Sequence, residues 1–266
     1  MNYLVNIAVL GLGEPGLRLA EVLQRAGGRV TGFDFQKPKH SHVPFADNLQ
    51  TAVSGADVVL CLAGSSHSLK MARDTMHLLA PGAVYADLNP CTPSLKLALA
   101  TELPETSFVD AILMGEASST NRDSGFEISG PGAKRFEALM APLGFEVEYI
   151  SANPGDASIR RLIRDFYARG TAALVADVLW AAKSLGVETW ALDDIARDFE
   201  SKTADSLQNQ LNETAKRAKV QSVEMTNLVE TLADKSYEST MASGISLTLS
   251  HMMHGKKVPF ARPQDA

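Results

Sequence analysis

Three glycines, Gly11, Gly13 and Gly16, stand at G-x-G-x-x-G spacing, and an acid, Asp34, follows about 20 residues later. Glycines at these intervals let a backbone approach a phosphate. Gly11 permits a tight turn, Gly13 leaves no Cβ in the way of a pyrophosphate, and Gly16 lets a following helix pack closely. Leu12, Glu14 and Pro15 complete the cradle, and Pro15 suits a first helical turn, where its missing N–H is no loss. A helix N-terminus placed there offers unpaired N–H groups and the positive end of a dipole to an anion. Asp34 can accept hydrogen bonds from both hydroxyls of an adenosine ribose and would repel a 2′-phosphate. The expected ligand is therefore NAD or NADP, with NAD favoured by Asp34; Lys37 and Lys39 work against that preference. A second polar set lies far downstream. Arg161 and Arg164 are one helical turn apart, Asp165 stands four residues after Arg161, and Tyr167 follows. Two guanidinium groups on one face can clamp a carboxylate or phosphate by paired hydrogen bonds, although a salt-bridged exposed face would show the same spacing.

The elements that must position these residues can be read from hydrophobic pattern. Leu4 to Leu10 reads as a buried strand that breaks into the glycine turn, and Leu17, Ala20, Val22 and Leu23 recur at helical spacing after it. Arg29 to Phe35 is a second strand, so Phe35 joins Asp34 at the adenosine end, ahead of a loop from Gln36 to Pro44. A short helix over Asn48 to Val53 precedes a third strand, Ala56 to Leu62. Its exit turn is Ala63, Gly64 and Ser65, with Ser65 or Ser66 expected to cap the next helix. A fourth strand, Ala83 to Asp87, ends beside Asn89, and a helix runs on through Leu99. Such alternation makes a Rossmann-type, doubly wound parallel sheet whose crevice lies at the carboxyl ends of the strands. Ala63, Gly64, Ser65 and Asn89 fall there and are expected to line the cofactor. Strands over Phe108 to Gly115, Phe126 to Ser129 and Phe145 to Ile150 follow, with a helix from Ala133 to Met140. From Pro154 helical periodicity takes over, with one helix of about 30 residues ended by Gly186, then helices over Trp190–Phe199, Ala204–Val220, Val223–Leu232 and Tyr237–His254. The expected division is a dinucleotide-binding domain, 1–153, and an all-α domain built on one long helix, 154–266. A half of that shape is hard to close on itself, so a homodimer through the helical domain is expected.

Composition narrows the partner class. A formal net charge of −6 over 266 residues, with no basic run or stripe, argues against nucleic acid or an anionic membrane. No apolar stretch approaches 18 residues, and the first strand begins almost at once, without a leader pattern; a cytoplasmic protein with a small-molecule substrate is expected. Cys61 and Cys91 each sit beside a predicted strand end and read as buried thiols. His251 and His254 are three apart without a third ligand beside them, so no metal is expected.

Several segments together resemble the β-hydroxyacid dehydrogenases, the group that includes 3-hydroxyisobutyrate and 6-phosphogluconate dehydrogenases. Gly11-Leu12-Gly13-Glu14-Pro15-Gly16 is similar to that family's N-terminal signature, and Asp87-Leu88-Asn89-Pro90-Cys91-Thr92-Pro93 to its segment beside the nicotinamide. Asp110-Ala111-Ile112-Leu113-Met114-Gly115 is similar to its substrate-binding motif. The run from Gly155 to Arg164 falls where the family carries its catalytic lysine and asparagine. The resemblance implies hydride transfer between nicotinamide and a small hydroxy acid or carbonyl substrate in an interdomain cleft. It implies Asp110, Met114, Gly115 and Arg161 at the substrate. It also marks departures: Arg161 stands at the lysine position, Arg164 at the asparagine, and Met114 at the substrate-binding serine. Arginine does not readily release a proton, its pKa staying above about 12, so Arg161 would polarise a carbonyl or hold an anion. The proton would come from Tyr167, Asp165 or water, with Asp156 a weaker candidate. Imine reductases of the same broader group also lack that lysine, which makes C=N reduction a rival. A non-catalytic dinucleotide sensor or partner subunit is the third reading.

Overall fold

Residues 5–36, 42–105, 107–114 and 125–254 are described by a computed structural model. The chain divides into two compact units, Met1–Arg164 and Asp165–Ala266. The composition changes near Asn153, but the division falls eleven residues later because the first turns of the long helix pack with the sheet.

In the first unit, β1 (Asn6–Leu10), β2 (Arg29–Phe33), β3 (Val58–Cys61), β4 (Val84–Asp87) and β5 (Phe108–Met114) are parallel. β6 (Gly125–Ser129) runs antiparallel to β5 and parallel to β7 (Glu146–Ser151). The order is β2-β1-β3-β4-β5-β6-β7. The reversal at β6 follows from chain length. Ten residues separate β5 from β6, and a parallel return needs a crossover of about a dozen or more. The central strands are apolar along their whole length: Val58, Val59, Leu60 and Cys61 are all fully buried, as a sheet covered on both faces requires. α1 (Glu14–Arg25), α2 (Leu49–Val53), α3 (Ser68–Met76), α4 (Pro93–Glu102) and α5 (Ala133–Met140) supply the cover. Thr92 caps α4 by accepting from Leu95 N, with Pro93 in its first turn. α3 starts later than its serines suggest, at Ser68, with His67 before it and no side-chain cap.

The second unit contains most of α6 (Asp156–Leu185), then α7 (Glu188–Ser201), α8 (Ala204–Ala233) and α9 (Thr240–Met253). α8 is one continuous helix of 30 residues, not the two expected. Gln221 and Ser222 between the expected pieces have no helix-breaking geometry, and a capping box of Thr203 and Ser206 starts the single helix. α8 and α9 pack along each other. Leu174, Val178, Trp190, Met225, Leu232 and Ile245 line an apolar cavity of about 310 Å³ inside this unit. No helix among the described residues is long and apolar enough to cross a membrane.

Candidate active site

β1 and β3 are neighbours although β2 lies between them in sequence, so the connections leave this point of the sheet in opposite directions. Open α/β sheets form their ligand crevice at such a switch, at the carboxyl ends of the strands. The glycine turn follows β1 and residues Ala63 to Ser65 follow β3. Gly11 has φ +97°, and a Cβ there would come within 2.5 Å of the Leu62 carbonyl carbon. At Gly16 a Cβ would lie 1.9 Å from Gly11 O. Both glycines are demanded by the protein's own packing. Gly13 is different: a Cβ would meet nothing nearer than Pro15 Cδ at 3.9 Å, so the space its hydrogen leaves is open. Gly13 is also the N-cap of α1, and no side chain caps that helix. Open approach at Gly13, the uncapped start of α1 and the helix dipole are features that suit an anion, although Leu12 N is already bonded to Asp34 and Pro15 has no N–H.

Asp34, just after β2, stands beside this turn. Its Oδ2 accepts from Leu12 N at 2.6 Å and its Oδ1 from Gln36 N at 3.0 Å. Each carboxylate oxygen keeps a further acceptor position for a ribose hydroxyl. The Leu12 side chain reaches back over Gly32, where a Cβ would meet its Cδ1 at 2.7 Å, and so seats the turn on β2. Phe35 is 66% exposed beside Asp34, edge-on to Phe33. Lys37, Lys39 and Gly115 lie outside the described residues.

The opposite wall is organised by buried charge. Lys96, on α4, is fully buried, as are Asp87 at the end of β4 and Asp110 on β5. Lys96 Nζ donates to Asp87 O at 2.7 Å and Asp87 Oδ1 at 2.6 Å, and pairs with Asp110 Oδ1 at 3.0 Å. All three ammonium protons have partners. Burial alone would lower the Lys96 pKa; Asp87 and Asp110 reverse this and hold it above the ordinary lysine value. Asp110 also accepts from the Ser158 hydroxyl and the Ser158 backbone N–H, both at 2.8 Å. It thereby caps the first turn of α6 from a distance. Gly155, at φ +100°, brings that turn against Pro93 of α4, where a Cβ would stand 3.1 Å away.

This arrangement corrects two expectations. Asp110 does not face a substrate: it is 0% exposed and both its oxygens are committed to Lys96 and Ser158. Asn89 is 3% exposed and does not line a cofactor with its side chain. Its Nδ2 donates to Asp87 Oδ2 at 2.8 Å and Cys61 O at 3.2 Å, while its Oδ1 accepts from Gly64 N at 2.7 Å. Asn89 therefore shapes the β3 exit turn. Ser65 Oγ ties the same turn to Pro90 O at 3.1 Å. Cys61 and Cys91 are free and buried; burial, with Asp87 nearby, pushes the Cys61 thiol up to about 11, so it stays neutral.

Arg164 is likewise not a free clamp, since its guanidinium donates to Glu127 Oε1 at 2.7 Å, and Arg160 beside it pairs with Glu148. Arg161 is half-buried on the same turns of α6, and Met114 at the end of β5 is half-buried. In the second unit, Asp165 accepts from Arg169 at 3.2 Å, and Tyr167 is 71% exposed. Lys96, Ser158 and Glu127 escape sequence reasoning. A lysine on a short helix with mean apolar flanks carries no mark of burial, and Glu127 alternates on β6 like a surface residue. Among the described residues no group of three metal-ligating side chains occurs.

Residues 6–125 match the family described as the NAD binding domain of 6-phosphogluconate dehydrogenase. A Methanothermus fervidus protein, known as an uncharacterized 28.5 kDa protein in the 7S RNA 5′ region, is 27% identical over 104 residues. That match spans 39% of this chain and 40% of the relative. Among solved structures, a conserved protein of unknown function, reported as structurally similar to 3-hydroxyacid dehydrogenases, is 22% identical with a TM-score of 0.60. The match covers 94% of this chain and 97% of that one. A reductive aminase from Aspergillus terreus in complex with NADPH and ethyl levulinate is 17% identical, with a TM-score of 0.73 and coverage of 96% and 95%. An imine reductase variant from Myxococcus stipitatus in complex with NAD+ is 14% identical, with the same TM-score and coverage. Uncapped α1, open Gly13 and the acid after β2 thus sit in a matching frame, and residues 6–125 are similar to the NAD binding domain of 6-phosphogluconate dehydrogenase within a chain whose fold resembles that of 3-hydroxyacid dehydrogenases.

Proposed function

We propose that the chain is an NAD(P)-dependent oxidoreductase acting between a small anionic hydroxy acid and its carbonyl form. The observation that carries this reading is Gly13, a glycine whose missing Cβ opens onto space at an uncapped helix N-terminus, as a pyrophosphate needs. Gly11 to Gly16 would hold the pyrophosphate, Asp34 the adenosine ribose, and the Ala63–Ser65 turn the nicotinamide half. A bound nicotinamide supplies the hydride. Arg161 is the substrate-anion contact in this reading, polarising the carbonyl or holding a carboxylate through charge-assisted hydrogen bonds. It is not the acid, because an arginine side chain does not readily release a proton; water supplies it.

A second reading, reduction of C=N, needs no acid at this position. An iminium already carries its proton, so hydride addition to its carbon yields the amine without an acid at the site. The reductive aminase and imine reductase among the fold relatives support keeping it. Titration with NADH and NADPH, followed by a turnover screen of oxo acids, aldehydes and cyclic imines, tests both. Turnover on C=O or on C=N chooses between them; cofactor binding without turnover assigns a sensor or partner subunit, and no binding sinks the cofactor reading. Asp34→Asn, which keeps an acceptor for Leu12, should move preference toward NADPH by about tenfold, since like charge against a 2′-phosphate is removed; an unchanged ratio would take Asp34 off the ribose.

We further propose that two copies associate through the helical unit. Trp180 and Trp190 are 61% and 62% exposed, and Val223 and Leu247 are 57% and 60% exposed, an apolar load that a monomer of this size rarely leaves in water. Sedimentation equilibrium at low micromolar concentration checks this: a monomer mass would overturn it.

A further inference from the structure

A continuous ladder of hydrogen bonds joins the β3 exit turn to the first turn of α6, and every rung lies in the first unit. Gly64 N donates to Asn89, Asn89 to Asp87, Lys96 to both Asp87 and Asp110, and Ser158 to Asp110, all at 3.0 Å or less. The members are buried: Lys96, Asp87 and Asp110 have no exposure, Ser158 has 1% and Asn89 has 3%. None of these side chains reaches the glycine cradle or Asp34, whose bonds run instead to Leu12 and Gln36. The two halves of the crevice touch through Gly11 and Leu62 but are braced by different side chains, and the ladder serves only one of them.

We infer that Lys96 is a positioning residue for hydride transfer. By tying Asp87 to Asp110 it holds the turn that would carry the nicotinamide half against the α6 turns that carry Arg161. The inference rests on the cofactor reading given above. Its physical basis is that a lysine between two carboxylates is the single cation in the ladder. Without it Asp87 and Asp110 repel each other across adjacent strands, where they are direct register partners. The turn and the helix start would then separate, while the adenosine half, braced by Leu12 and Asp34, would stay in place.

The test is to compare NADH with ADP-ribose, which lacks the nicotinamide. In Lys96→Met, NADH affinity should fall about tenfold while ADP-ribose affinity changes less than about twofold. Equal losses for the two ligands, or no loss for either, would overturn the positioning role, since a merely structural lysine would not split them. Should Lys96→Met fail to fold, Ser158→Ala removes one of the two bonds at the far end of the ladder, the hydroxyl's, and leaves the backbone N–H on Asp110, without removing a charge. It should lower NADH affinity about threefold and leave ADP-ribose unchanged. Amide exchange in the ligand-free protein separates this inference from the cofactor reading. Ser158→Ala should speed exchange at Gly64 as well as at residue 158, with β1 unaffected. Unchanged Gly64 would refute the ladder even in a protein that binds NADH, and the coupled change would support it even where wild type binds neither ligand.

Discussion

Two aspartates in this molecule do the same job in different surroundings. Asp110 caps the start of α6 through the N–H of Ser158, and Asp177 caps the start of α9 through the N–H of Met241, 3.0 Å from its Oδ2. Each also takes hydroxyl donors: Ser158 for Asp110, and Tyr237 with Ser239 for Asp177. Asp110, in the sheet unit, has no exposure and needs Lys96. Asp177, in the helical unit, keeps 8% exposure, and among the described residues no cation pairs with it. Burial raises the pKa of Asp177, but the bonds from Ser239, Tyr237 and Met241 outweigh it and leave the pKa below the usual carboxylate value. The lesson is one of solvation. Complete removal from water costs a carboxylate more than neutral donors return, so a counter-charge is required, whereas a carboxylate at the edge of solvent can be satisfied by O–H and N–H dipoles alone.

The comparison breaks most visibly at Asp110. Asp110→Asn leaves Lys96 with one carboxylate instead of two, and removing one partner of a buried ion cluster costs about 3–5 kcal/mol. Urea denaturation should report that loss, and a value below about 1 kcal/mol would mean that the buried charges are not coupled. Asp177→Asn should cost less, about 1–3 kcal/mol, as lost charge-assisted hydrogen bonds do. A loss as large as that at Asp110 would abolish the distinction. Ser239→Ala removes the hydroxyl that both binds Asp177 and caps α9 by accepting from Ala242 N, and should cost about 1 kcal/mol.

Acidity sharpens the contrast at its smallest scale. The folded-state pKa of Asp177 lies below its ordinary 3.8, so its contribution is fully present above that value. It is lost as pH falls through the folded value. The Lys96 pKa is raised above its ordinary 10.5, so its contribution is present below that value and fades as pH rises through the folded one. Denaturant midpoints measured across pH should therefore show an acid edge that Asp177→Asn blunts and an alkaline edge that it leaves alone.

Much of the fold was readable because its signals are local. The G-x-G-x-x-G run, the apolar strands and the 30-residue periodicity of α6 each need only neighbours in the chain to be recognised. Where reading failed, the missing information was non-local. α8 reads as two helices because Gln221 and Ser222 interrupt an apolar pattern, yet it is one continuous helix with α9 packed along it. Asp110 reads as a substrate residue because it stands in a segment similar to a family motif. Which way it turns was set by Lys96 and Ser158, 14 and 48 residues away in sequence.

By itself, the sequence determined the sheet, the glycine turn after β1 and the acid after β2, since backbone freedom at glycine and strand hydrophobicity are properties of short stretches. Only the tertiary structure decided that Asp110 and Asn89 are buried and bonded within the protein, that Arg164 is paired with Glu127, and that Lys96 lies between Asp87 and Asp110. The reason is that a charge's role depends on what has been removed from water around it, and that is settled only when distant segments come together.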